Sequence, residues 1–334
     1  IFDEGNYTGL TSFQDKTQTI NIVFENKDTT PSNGTTKDSW LTHPAFTSFD
    51  SNGFWVGKFE TGYDGATSTS ASQVNSVDTS KIIIKPNVYS WRSITVGNAF
   101  KNSYDYQRDL DSHMIKNIEW GAMAYLQHSN YGSHVEIKLN NNSNYITGYA
   151  TTKDATTSNC TSGDANRYEG TNLNTNGTYT VMYNTDIGKL ASTTANITGI
   201  YDTAGGAWDY VSAYSTSISS TGGSTLNNFY PNFFTDSKYT KYWDKYTTTY
   251  YTQYNTRILG DATGELGPFA KNSNTCGYDV SSWYNDYAML SESPYPWLLR
   301  GGYYNYGTLG GIFAYSRWHQ DGEVWASYRI VLTP

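Results

Sequence analysis

Gly199-Ile200-Tyr201-Asp202-Thr203-Ala204-Gly205-Gly206-Ala207-Trp208-Asp209-Tyr210-Val211 places two adjacent glycines inside an aromatic run. Lacking a Cβ, Gly205 and Gly206 take positive φ without steric cost, so the chain can turn sharply here while Tyr201 and Trp208 pack inward. This is the pattern of core architecture. Asp202, beside the turn, and Glu119, further upstream, could form a carboxylate pair. The favoured reading is that each fixes a loop by accepting backbone N–H groups.

Working outward, Gly53-Phe54-Trp55-Val56-Gly57-Lys58-Phe59-Glu60 reads as a strand and Ile82-Ile83-Ile84-Lys85-Pro86 as a second apolar run ended by proline, with a Ser/Thr-rich loop over 64–80. A short helix is expected from Ile94 to Tyr104. A longer one is expected from Asp111 or Ser112, either of which can cap exposed N–H groups, through His113 to about His128. Met114, Ile115, Ile118, Ala122, Tyr125 and Leu126 recur at helical spacing and supply its buried face. Beyond residue 130 helix signals nearly vanish. Short β-prone runs such as Thr178-Tyr179-Thr180-Val181-Met182-Tyr183 alternate there with long polar loops and no internal repeat. The class is α+β, with few helices, short strands and long irregular loops. Residues 1–50, with a strand at Ile20-Asn21-Ile22-Val23-Phe24, are expected to be a lead-in or the end of a preceding domain, and 51–334 a single domain.

Only 16% of the 334 residues are charged, against roughly 25% in ordinary soluble proteins. With 31 Tyr, 10 Trp and 13 Phe the chain can fill a large core and still leave aromatics for contact surfaces. A net charge of −8 and no basic stripe exclude nucleic acid and anionic membrane as the main partner. No apolar run approaches a membrane span, so no direct membrane insertion is expected of this segment. Cys160 and Cys276 lie in Ser/Asn/Gly-rich surroundings at a spacing that suits no metal site; they are read as a disulfide formed in an oxidising compartment. The start at Ile1 implies a processed or truncated chain.

Five segments, in order, resemble the formylglycine-generating-enzyme-like (sulfatase-modifying factor) superfamily, a branch of the C-type-lectin fold. Phe54-Trp55-Val56-Gly57-Lys58-Phe59-Glu60 resembles its opening strand and Met114-Ile115-Lys116-Asn117-Ile118-Glu119-Trp120 its helix. The stretch from Gly199 to Val211 resembles its glycine turn, Leu299-Arg300-Gly301-Gly302-Tyr303 its Arg-Gly-Gly element, and Ser327-Tyr328-Arg329-Ile330-Val331-Leu332 its last strand. The resemblance implies a C-type-lectin-like fold of the formylglycine-generating-enzyme type. It makes Glu119, Trp120, Tyr201, Asp202, Trp208, Arg300, Gly301, Gly302 and Arg329 framework residues, Arg300 anchoring through carboxylates or carbonyls.

The family's oxidase chemistry rests on a cysteine pair just before the last strand, and residues 303–327 contain no cysteine. His43, His113, His128, His134 and His319 form no tight metal-type cluster, and no nucleophile-elbow motif is present. The lectin calcium triplets are mimicked only by Lys85-Pro86-Asn87 and Trp283-Tyr284-Asn285-Asp286, with lysine in place of the needed carboxylate. No catalytic group and no cofactor is therefore expected; the Asp- and Asn-rich loops leave room for a structural calcium.

Between the last two framework elements lie Tyr303, Tyr304, Tyr306, Tyr315, Arg317, Trp318, His319, Gln320, Asp321 and Glu323, a composition typical of paratopes and interface hot spots. Phe313 and Trp325, in the same segment, are expected to fill the core. The placement resembles the variable proteins of diversity-generating retroelements, including phage tropism determinants and bacterial surface lipoproteins. Tyr303, Tyr304, Tyr306, Leu309, Ser316, Arg317 and His319 are types that adenine randomisation of Asn codons reaches; Trp318 and Gln320 are not. The expected function is a non-enzymatic adhesin or receptor-binding module recognising a host or bacterial surface protein or glycan through 303–325. It would be extracellular, at a cell surface or in a phage virion such as its tail. The rival readings are a self-assembling structural subunit of a filament or envelope, and an enzyme with an unrecognised site.

Overall fold

In the computed structural model, residues 24–25, 41–49, 53–153, 179–215, 224–246, 258, 260–263, 270–271, 279–280, 284, 286–289, 291 and 295–333 are described. The strand Trp208–Ser215 is buried along its whole length, and both its edges are paired. Trp297–Arg300 runs antiparallel along one edge, with a register irregularity between Trp297 and Leu299. Ala326–Tyr328 and then Asp244–Tyr246 lie parallel along the other. Tyr315–Trp318 adds antiparallel to the outer side of Trp297–Arg300.

Side chains alternate across this sheet and feed two cores. Trp208, Tyr210, Tyr214, Trp297 and Leu299 enter one, with Phe100, Phe233 and Tyr328. Val211, Ala213, Leu298 and Tyr315 enter the other, with Trp120, Met123 and Phe313. A strand buried on both faces shows no regular alternation of polar with apolar residues, and Asp209, Ser212 and Ser215 are buried along with its aromatics. Burial of large apolar side chains of this kind contributes roughly 1.5–3 kcal/mol each.

A smaller antiparallel sheet joins Trp55–Val56, Ile330–Leu332 and His113–Met114. Two-stranded pairs link Gly62–Tyr63 with Ile82–Ile83 and Tyr149–Thr151 with Thr180–Met182. The expected strand at 53–60 narrows to Trp55–Val56, the apolar run at 82–86 supplies Ile82–Ile83, and the β-prone run at 178–183, whose Thr178 lies outside the described residues, supplies Thr180–Met182. Phe24–Glu25 pairs with Leu41–Thr42; residues 20–23 lie outside the described residues, as do Cys160 and Cys276.

The helix Val96–Tyr106 starts where Thr95 Oγ1 accepts the Asn98 N–H, and buries Val96, Ala99, Phe100 and Tyr104. The second helix corrects its expected start: it spans Asn117–Leu126, and His113–Met114 is a strand. The capping residues at 111–112 are spent on a turn instead. Ser112 Oγ accepts the Gln107 N–H at 2.8 Å, and the Asp111 carboxylate binds Lys241. Glu119 marks the true start by accepting the Lys116 N–H at 2.8 Å. Its buried side is Ile118, Trp120, Met123 and Ala124, while Ala122, Tyr125 and Leu126 are half-buried. The architecture is mixed α+β. Among the described residues no helix is long and apolar enough to cross a membrane.

Candidate functional site

The loop 319–325 joins the strand Tyr315–Trp318 to Ala326–Tyr328 and is held almost entirely by its main chain. The Val96 N–H, an otherwise unpaired donor at a helix start, bonds the Gln320 carbonyl at 2.9 Å. The Ser93 and Trp208 N–H groups bond the Glu323 and Trp325 carbonyls, each at 2.9 Å. The Tyr210 hydroxyl lies 2.9 Å from the Asp321 carbonyl and 3.1 Å from that of His319. Arg92 donates to the Val324 carbonyl. Every loop carbonyl except that of Gly322 is thus tied to a donor outside the loop. Gly322 matters for a different reason: a Cβ there would lie 2.2 Å from the Ser93 oxygen, so only glycine lets the loop settle this closely. Ser93 itself takes φ of 58°, a sparsely populated region for a residue with a side chain.

With its carbonyls turned inward, the loop presents side chains. Asp321 and Val324 are exposed and Arg317, Trp318, His319, Gln320 and Glu323 half-buried. Trp318 stacks on Tyr295 (5.6 Å between centroids, 27°), meets Trp325 edge-on at 5.3 Å and donates its indole N–H to Glu323 at 2.8 Å. His319 leans on Tyr295 at 4.5 Å, and the Arg317 guanidinium lies 5.6 Å from the same ring. Trp318 is therefore a floor, and Arg317, Tyr295 and His319 sit around it.

Tyr303 and Tyr304 form a second part. Tyr304 meets Tyr145 edge-on at 5.1 Å, and Tyr303 contacts Tyr304 at 5.7 Å. The Arg92 guanidinium lies 4.0 Å over the Tyr145 ring. The side chain that holds the Val324 carbonyl thus also supports this tyrosine group.

Two expected contact residues are corrected. Tyr306 is 6% and Tyr315 1% exposed. Tyr306 packs edge-on against Trp208 at 5.2 Å, and the Tyr315 main chain is paired on both sides, with Arg300 and with 287–289. Both are core residues that a surface ligand does not reach. Phe313 is fully buried, and Trp325 is partly buried against the core. Tyr295, Arg92 and Tyr145 were not legible as part of the site, because they come from distant segments. Tyr295 alone carried a signal, standing between Pro294 and Pro296 just before a strand.

Beneath the surface, Arg329 donates to the carbonyls of Gly57, Tyr201 and Asp202 and pairs with Asp209 at 3.3 Å. Asp202 accepts from Asn140 at 2.9 Å and from the Gly148 N–H at 2.8 Å. Glu60 accepts the Ala207 N–H at 2.9 Å and the Ser90 hydroxyl. Burial, reinforced by the neighbouring Asp209 and Asp202 charges, pushes the Glu60 carboxyl well above its usual range. Burial raises Asp202 too, and lifts Asp209 to about 7. Gly205 and Gly206 take φ of 75° and 74° and bring the chain across this cluster. Arg300 donates to the Ala262 carbonyl at 3.2 Å and the Trp120 indole to Ile312 at 2.7 Å; Gly301 and Gly302 take positive φ beside them. Glu119 pairs with His113 at 2.9 Å. These expected framework residues all lie in the interior.

His128 and His134 lie 6.5 Å apart, while His43 is buried against Gly260. Among the described residues, no group of three or more His, Cys, Asp or Glu side chains could hold a metal ion. What the 303–325 surface offers chemically is stiff aromatic area edged by Arg317, Gln320 and Asp321. No protein-family model matches the chain, and no curated protein matches it.

Proposed function

We propose that this chain is a non-enzymatic binding module of the formylglycine-generating-enzyme-like C-type-lectin type, displayed outside the cell, that captures a surface protein or glycan. Contact runs through Tyr295, Tyr303, Tyr304, Arg317, His319, Gln320 and Asp321, with Trp318 as the floor. The supporting observation is the anchoring of the loop by its carbonyls. A loop held through its main chain keeps its shape when side chains other than that of position 322 change, so its contact area is already ordered before a ligand arrives. The same arrangement suits a surface whose residues change between relatives.

A screen of the purified chain against glycan and cell-surface protein arrays tests this, run beside a variant combining Tyr304→Ala, Arg317→Ala and His319→Ala. Selective binding that the folded variant loses is expected. Binding that survives the three substitutions removes this surface from the account, and ordered filament growth without any binding supports a structural subunit instead.

A further inference from the structure

Lys116 and Asp244 are both buried, and their side chains approach to 3.3 Å between Nζ and Oδ1. Lys116 sits directly before the helix Asn117–Leu126, and Asp244 opens the strand Asp244–Tyr246. The Phe49 ring lies 5.3 Å from Nζ. An ammonium–carboxylate pair taken this far from water loses much of its advantage, because desolvation of both charges opposes their attraction. Amide formation requires the pair in its neutral form, an amine facing a carboxylic acid. Burial holds the Asp244 carboxyl above its usual range, against the opposing pull of the Lys116 charge and the Ile118 N–H.

We propose that Lys116 and Asp244 become joined by an intramolecular isopeptide bond, formed by the folded chain itself. A neutral lysine amine is a competent nucleophile, and burial holds the two side chains in contact, 3.3 Å apart between Nζ and Oδ1. Oδ2 already accepts the Ile118 N–H at 2.9 Å. That donor belongs to the first turn of the helix, where the backbone dipole favours negative charge. As Nζ attacks Cγ, the carbonyl electron pair moves onto Oδ2 and is stabilised there. The Cγ–Oδ1 bond then breaks, and Oδ1 departs as water carrying the carboxyl proton and one amine proton. The amine proton passes to Oδ1 itself, which faces Nζ at 3.3 Å. No oxidant or outside reagent is required. The product keeps Oδ2 as an amide oxygen on the Ile118 N–H. It ties the helix start to the parallel edge of the central sheet, closing a long loop of chain much as a disulfide would.

The test is the intact mass of the purified, folded full chain, followed by protease digestion and fragment sequencing. The expected mass is lower than that of the sequence by one water molecule, with a branched fragment joining the peptides that contain Lys116 and Asp244. Lys116→Arg keeps a positive charge beside Asp244 but cannot form the amide, and is expected at full mass. A wild-type chain at its full sequence mass overturns the proposal, as does loss of water without that branched fragment.

Discussion

Trp318 and Tyr295 stack at 5.6 Å and 27°, and this contact joins the last strand before the display loop to a residue just ahead of the strand Trp297–Arg300. Trp318 therefore has a structural task under the surface it helps to form. Trp318→Ala is expected to lower stability by about 2 kcal/mol, less than a fully buried tryptophan would cost. Asp321→Ala, whose exposed side chain supports nothing, is expected to stay within about 0.5 kcal/mol of wild type. Urea unfolding of both variants checks the contrast; equal losses would mean that the loop side chains carry the fold.

Gly322 is where the loop lies against the Ser93 main chain. Gly322→Ala brings a methyl group against the Ser93 carbonyl, which is main chain and cannot swing aside. A loss of about 1–3 kcal/mol is expected, as for other overpacked positions. Amide exchange should rise at Ser93 and Val96, whose N–H groups bond the loop. Unchanged exchange there would show that the loop is not held as described.

Glu60 gives the protein a pH dependence of unusual sign. The folded state holds this proton where an unfolded glutamate has released it. Its contribution is therefore full below the unfolded pKa of about 4.3 and is lost as pH rises through the folded value. Glu60→Gln, which cannot ionise and can still accept the Ala207 N–H, is expected to flatten the decline in urea midpoint as pH rises above the unfolded value. Parallel profiles for wild type and variant would show that no such proton is stored.

His43 works in the opposite direction. Burial lowers its pKa to about 4, while its Nδ1 accepts the Ala45 N–H at 3.1 Å. Stability from this neutral ring is full above the unfolded pKa of about 6.5 and is lost as pH falls toward the folded value, on the order of 3 kcal/mol in all. His43→Asn keeps a capping acceptor and removes the titration. Its unfolding midpoint should fall less than that of wild type between pH 6.5 and about 4.

The parts of the fold written in local sequence were readable. Gly205 and Gly206 announce a turn that needs positive φ, and the helix expected from Ile94 to Tyr104 is found at Val96–Tyr106. The start of the second helix was not readable, because Ser112 and Asp111 look like caps yet are engaged by Gln107 and Lys241, a matter of tertiary packing. The site suffered from the same limit. Tyr306 and Tyr315 have the same composition as Tyr303 and Tyr304, and only the strand pairing and the Trp208 contact decide which pair is buried. Arg92 and Tyr145, distant in sequence, come beneath the tyrosine group through folding alone.

The most direct test of the binding surface is a side-chain oxidation footprint of the wild-type chain with and without a ligand recovered from the arrays. Protection is expected at Tyr295, Tyr304, Trp318 and His319, with Trp55, which is 70% exposed on a separate small sheet, left as reactive as before. Protection centred on Trp55, with those four residues unchanged, would contradict the assignment of the ligand to this surface.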